Sequence, residues 1–113
     1  QRVLERIDAF LSEMDDQGRM VSYGRVAAVA VVGNEDGAHH VCAELFQALN
    51  DCGFSIPANA STYWVGEAMT GTDYNMLEKT PDNISHTTAM MARNCVHLAG
   101  LLKQSQYPGD PQA

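Results

Sequence analysis

Val26-Ala27-Ala28-Val29-Ala30-Val31-Val32, running into Gly33-Asn34-Glu35-Asp36-Gly37, is the stretch that decides the fold. The first seven residues are apolar at every position, not at alternate ones. A strand of that kind is buried on both faces, as in a parallel sheet between helices. It needs a neighbour along each edge of the sheet. The rest of the chain offers one good neighbour, Gly53-Phe54-Ser55-Ile56, and a weaker one, Thr62-Tyr63-Trp64-Val65. A sheet short of strands leaves its central strand as an open edge, which invites association. The chain is therefore expected either to be part of a larger domain or to complete its sheet with another copy.

Outward from that strand the pattern alternates. Val3, Leu4, Ile7, Phe10, Leu11 and Met14 are spaced for one face of a helix over residues 1 to about 15, with Gly18 expected at its C-terminal cap. The strand is expected at about 25–32, and Gly33–Gly37 turns the chain into a helix over about 37–51. That helix buries Val41, Cys42, Leu45, Phe46 and Leu49. A short strand follows at about 54–57, stopped by Pro57, and then a long connection over 58–79. The last helix opens with Thr80 as N-cap and Pro81 in the first turn, and it runs through Lys103. Its core stripe is Ile84, Thr88, Met91, Cys95, Leu98 and Leu102. Residues 104–113 read as a flexible or loosely docked tail. Helix, strand, helix, strand, helix is the order of an open α/β layer fold, in which ligands bind beyond the carboxyl ends of the strands.

Composition narrows the functions. The chain of 113 residues carries 7 Lys and Arg against 14 Asp and Glu, a formal net charge of −7. No basic cluster exists to replace the counterions of a nucleic acid or to face an anionic membrane. The longest apolar run is far short of the ~20 residues of a membrane-spanning helix. Cys42, Cys52 and Cys95 form no C-x-x-C pair, and an odd number cannot all be bridged within the chain. They read as structural thiols, and a cytoplasmic location is the simplest account.

The chemistry is expected at Gly33–His40. A glycine after a buried strand, leading into a helix, gathers free backbone N–H groups at a crevice. Glu35 and Asp36 lie in the turn, which carries no Lys or Arg, so a phosphate is poorly served there. Backbone donors beside carboxylate and amide acceptors suit a neutral heteroaromatic edge that has both kinds of group, such as the pyrimidine edge of a flavin. The plainer alternative is that Asn34 or Asp36 caps the helix. His39 and His40 point about 100° apart on a helix and cannot share a metal ion without a third element. His86 and His97 fall on the last helix, His97 against the core stripe. Trp64 reads equally as a packing residue and as a ligand neighbour. No nucleophile arrangement stands out, so no catalytic residue and no metal ligand is assigned.

Val31–His40, Leu45–Leu49, Gly53–Pro57, Tyr63-Trp64-Val65-Gly66-Glu67-Ala68 and Gly71-Thr72-Asp73-Tyr74 together resemble the flavodoxin-like FMN-dependent NAD(P)H oxidoreductases, which include NADPH-dependent FMN reductases and quinone reductases of the WrbA type. The resemblance runs from Gln1 through Lys103. It implies a flavodoxin-like three-layer α/β/α fold with a parallel sheet. Gly33, Asn34, Glu35, Asp36 and Gly37 would lie against the isoalloxazine of FMN, and Tyr63 and Trp64 near the flavin or the nicotinamide. The family's amino-terminal strand and phosphate-binding loop have no counterpart here, so the chain resembles the carboxyl-terminal part of the domain. The implied activity of the parent is hydride transfer from NAD(P)H through FMN to a quinone-like acceptor. A homo-oligomer is the family default. Two other readings stay open: a flavodoxin-type electron carrier and a cofactor-free α/β interaction module.

Overall fold

The computed structural model describes residues 1–113. Its elements are α1 (Arg2–Asp8), β1 (Val29–Gly33), α2 (Ala38–Asp51), β2 (Ser61–Val65), a 3-10 turn at Tyr74–Met76 and α3 (Asp82–Gln104). β1 and β2 pair in parallel, in register from Val29 opposite Ser61 to Gly33 opposite Val65. The molecule is an α/β fold with a parallel sheet, as the order of elements predicts.

Successive side chains of a strand point to opposite faces, and this alternation orders the layers. The Thr62 hydroxyl hydrogen-bonds to those of Thr87 and Thr88 on α3, each at 3.0 Å. The neighbouring Tyr63 ring meets His39 of α2. Helices α2 and α3 therefore cover opposite faces of the sheet. The core is thin: Val29, Ala38, Cys42, Ala60 and Leu102 are its buried apolar residues.

The expectation that β1 is buried on both faces is corrected. Val29 is buried and Val31 half-buried on the α2 side, but Ala30 is exposed and Val32 is 63% exposed on the other. Helix α3 stands over β2 and leaves β1 uncovered there. The apolar run is also only partly strand. Val26 makes an isolated parallel bridge to Ser55, and the regular ladder begins at Val29. The strand expected at 54–57 is reduced to that one bridge, because Pro57 lacks an N–H and Asn59 adopts φ 54°. Pairing resumes as β2, within the segment expected as a long connection.

Helix α1 is half the expected length. After Asp8 the N–H groups of Phe10, Leu11 and Glu13 bond three residues back, to Ile7, Asp8 and Phe10. The chain then folds into a hairpin with Met14 opposite Met20. The Asp15 carboxylate accepts from the backbone N–H groups of Gln17 and Arg19 at 2.9 Å each, so Gly18 serves this turn and caps no helix. Helix α3 begins at Asp82 with Pro81 as its N-cap residue, and the Thr80 hydroxyl instead meets that of Tyr74 at 3.3 Å. Of its expected stripe only Leu102 is fully buried, and His97 is exposed rather than set against a core. On α2, Cys42 is buried as expected, Val41 is exposed, and the sequence reading missed buried Ala38.

The tail is docked. The Tyr107 ring lies 5.4 Å from that of Tyr23, and its hydroxyl is 2.7 Å from that of Ser55. The Arg19 Nε donates to the Tyr107 carbonyl at 2.6 Å, and the Asp110 N–H to the Gln17 carbonyl at 3.1 Å.

Candidate functional site

β1 and β2 run in parallel, so their carboxyl ends open on the same side, and each is followed by a loop. Gly33 closes β1, Asn34–Asp36 bend the chain, and Gly37 at φ 84° leads into α2. That left-handed conformation is open to glycine at no steric cost. The Asp36 carboxylate accepts from the Gly37 N–H at 2.6 Å, one residue away. It makes no bond to the first turn of the helix, and α2 has no side-chain cap. The capping alternative for Asn34 or Asp36 is thus not what the loop does. The N–H groups of Ala38, His39 and His40 carry no backbone partner, and the first bond of the helix is Val41 N–H to the Gly37 carbonyl.

Over this helix start lies a cleft of about 490 Å³, lined by Asp36, Gly37, Ala38, His39, His40, Tyr63 and Val65. That is the size of an ordinary small-molecule site. The His39 and Tyr63 rings meet edge to face, centroids 4.9 Å apart and planes at 82°. His40 reaches outward to Glu44, with Nε2 3.8 Å from Oε1 in full solvent.

A second cleft, about 270 Å³, lies on the other side of β2 between Trp64, Val65, Gly66, Glu67, Thr70, Thr72 and Leu77. Trp64 packs here against Tyr74, ring centroids 5.5 Å apart. Tyr63 and Trp64, paired in the sequence reading, therefore serve opposite faces of the sheet. Of the residues singled out there, Asp36, Gly37 and Tyr63 share one cleft. Trp64 belongs to the other, Gly33 forms the strand end, and Asn34 and Glu35 lie exposed on the loop. His39 and Val65 were missed. For Val65 the spacing carried the signal, since it falls two residues after Tyr63 and so on the same face of β2; His39 lies in the first turn of α2, where no such parity holds.

The two loops are tied. The Gly66 N–H donates to the Gly33 carbonyl at 3.2 Å, so the ladder continues one residue past β2. Electrostatically the region is one-signed: between Arg25 and Lys79 the sequence has no Lys or Arg at all. No group of three or more His, Cys, Asp or Glu side chains gathers as a metal site.

No protein-family model matches the chain. The chain is similar to the 8-demethyl-8-aminoriboflavin-5'-phosphate synthase of Streptomyces davaonensis. The two are 36% identical over 114 residues, which is 98% of this chain and 44% of the synthase. The crystal structure of RosB with a bound intermediate, 8-demethyl-8-formylriboflavin-5'-phosphate, superposes with a TM-score of 0.85 at 32% identity, over 97% of this chain and 44% of that one. A third match is to a protein of Mycobacterium bovis described as the divalent metal cation transporter MntH, 33% identical over 91% of this chain but only 16% of that protein. No helix here is long and apolar enough to cross a membrane. The chain thus spans less than half the length of the curated relatives it matches, and what the comparisons establish is its fold.

Proposed function

We propose that the cleft at Asp36–His40 and Tyr63 takes the ring system of a flavin, and that the chain is the ring-binding part of an FMN-dependent oxidoreductase. One observation carries this reading: the 490 Å³ cleft lies at the carboxyl ends of both strands and offers the unpartnered N–H groups of Ala38, His39 and His40 beside the Asp36 carboxylate. A flavin pyrimidine edge alternates acceptors and donors, and that set can meet both. Tyr63, backed by His39, presents an aromatic wall against which a flat ring can lie. Val65 adds apolar surface that excludes water. A synthase relative whose name contains a riboflavin phosphate, and a solved neighbour holding one, support the same ligand class.

When bound, a flavin supplies hydride acceptance from NAD(P)H and delivery to a quinone-like acceptor. The chain's own residues orient the ring and shield it, and none is assigned a proton-transfer role. The ring fits the residues present; the phosphate does not. With no Lys or Arg between Arg25 and Lys79, nothing in the cleft neutralises it. A titration of this chain with FMN and with riboflavin, followed by quenching of flavin fluorescence, tests the reading. Saturable quenching by both, with affinities within about threefold of each other, is expected from ring recognition without phosphate contacts. No quenching by either would overturn it.

A second reading is favoured by the synthase relative: the flavin is a substrate to be modified rather than a resident cofactor. The two part on the fate of the flavin after turnover. A cofactor returns chemically unchanged, as seen by mass spectrometry, while NAD(P)H is consumed.

A further inference from the structure

The turn ahead of α2 carries the one Asp-Gly pair in the chain, Asp36-Gly37. An aspartyl side chain can be attacked by the backbone nitrogen of the next residue, which closes a five-membered succinimide ring. A side chain on that next residue crowds the nitrogen, and glycine has none. The nitrogen and the carboxyl must also be brought together. Here they are: the Gly37 N–H donates to the Asp36 carboxylate at 2.6 Å. That contact already bends the atoms of the future ring, the Gly37 nitrogen and C, Cα, Cβ and Cγ of Asp36, into a loop closed through Oδ1.

The other aspartates with a side-chain bond aim elsewhere. Asp15 and Asp110 accept from the N–H two residues on, and Asp51 and Asp82 from side chains that precede them. All four are followed by a residue that carries a side chain, and Pro111 after Asp110 has no N–H to attack with. No Asn-Gly pair exists either. The surroundings of Asp36 leave it free to react. It is exposed, and residues 34–36 take part in no backbone hydrogen bond. Nothing lies within 4 Å of the point where a Cβ on Gly37 would stand. Buried and hydrogen-bonded backbone resists the rotation that ring closure needs, and this turn has neither restraint.

The geometry points to Asp36-Gly37 as a site of spontaneous covalent modification, passing through a succinimide to isoaspartate. The Gly37 nitrogen bonds to Cγ of the protonated Asp36 carboxyl, the Cγ–OH bond breaks, and the hydroxyl leaves as water with the N–H proton. Water then opens the ring at either carbonyl. Opening at the main-chain carbonyl leaves the chain running through Cβ and a carboxylate on Cα. The product lengthens the turn by one methylene just before α2 and withdraws the carboxylate from the cleft. None of this rests on the flavin reading, and the test uses no flavin.

The 113-residue chain is held for days in warm, mildly acidic buffer, folded and in urea. It is then digested, and the peptide over Asp36 is followed by chromatography and mass spectrometry. Two products are expected. One is lighter by one water; the other has unchanged mass, a new retention time and a carboxylate that protein isoaspartate methyltransferase methylates. Because the fold holds the reacting groups together, they should form at least as fast in the folded chain as in urea, and about tenfold faster than at any other aspartate. Asp36→Glu keeps the carboxylate but needs a six-membered ring, so both products should vanish. Asp36→Asn closes the same five-membered ring with ammonia leaving, so it should reach isoaspartate faster. Three results would overturn the proposal: no isoaspartate in the folded chain, slower formation there than in urea, or an equal amount at another aspartate.

Discussion

The Asn34 carbonyl lies 3.1 Å from the point where a Cβ on Gly66 would sit, and the Trp64 ring lies 3.0 Å from the same point. The two loops at the carboxyl ends of β1 and β2 thus approach as closely as backbone allows, and Gly66 is the residue that permits it. Gly66→Ala should push the 34–37 loop outward and shift Trp64. A loss of about 1–2 kcal/mol in urea unfolding is expected, in the range of other overpacked sites, with weaker flavin quenching. An unchanged affinity would separate the two loops functionally.

Gly37 presents the opposite case. Nothing lies within 4 Å of a Cβ there, and the whole obstacle is its φ of 84°. Gly37→Ala should therefore cost about 1–2 kcal/mol by backbone strain alone. Gly37→Asn should recover much of it, because asparagine tolerates that conformation. Thermal unfolding of the two variants side by side checks the order.

Tyr63 and Trp64 should separate cleanly. Tyr63→Ala removes the wall of the 490 Å³ cleft and its contact with His39, and a flavin affinity lower by about tenfold is expected. Trp64→Ala removes packing against Tyr74 on the far side of the sheet, so it should lower the melting temperature and leave flavin quenching within about twofold. Matching effects of the two variants on binding would mean that the ligand reaches both faces.

Acid should loosen the 15–19 hairpin before the rest. The Arg19 backbone N–H holds the Asp15 carboxyl below its ordinary value of 3.8, against opposing desolvation; the Gln17 N–H and the Arg19 guanidinium pull the same way. A carboxylate with a lowered folded pKa contributes stability that is present above its unfolded value and lost as pH falls through the folded one. The hairpin's contribution should therefore hold at neutral pH and fade below about 3.8, where protonation takes hold. Asp15→Asn should flatten that dependence when Tyr107 docking is followed by its fluorescence, because Arg19 bonds both residues.

Cys52 should be slow to alkylate. Burial pushes its thiol above the ordinary 9.0, and the nearby Asp8 and Asp51 carboxylates push the same way. At pH 8 iodoacetamide should label it more slowly than a free cysteine, with the rate still rising beyond pH 9.0.

How much of this could be read from residues alone differs by element. Helix α2 was legible to within a residue at its start, since Gly37 before it and Gly53 after it punctuate a strong apolar stripe. The loop 33–37 was legible because a glycine after an apolar run has few other uses. Helix α1 was over-extended: Phe10, Leu11 and Met14 continue its spacing, but the Asp15 side chain binds the backbone of Gln17 and Arg19 and closes a hairpin, a local competition that periodicity does not register. β2 was the weaker strand candidate and was placed within the long connection over 58–79, because the pairing that establishes it comes from the distant Val29–Gly33 ladder. The division of Tyr63 and Trp64 between faces needed only the strand parity, once β2 was known to be a strand.

Shape itself has a hydrodynamic consequence. The chain measures 55 × 28 × 18 Å with a radius of gyration of 16.9 Å, where a sphere-like domain of this length has about 13 Å. A rod of those proportions meets more friction than a ball of equal mass. A single copy should therefore leave a gel-filtration column early, at the volume of a heavier globular standard, while sedimentation equilibrium, blind to friction, returns the mass of one chain. Capping the bare side of β1 with further polypeptide would add mass and, by filling out the shorter dimensions, lower the friction per unit of that mass.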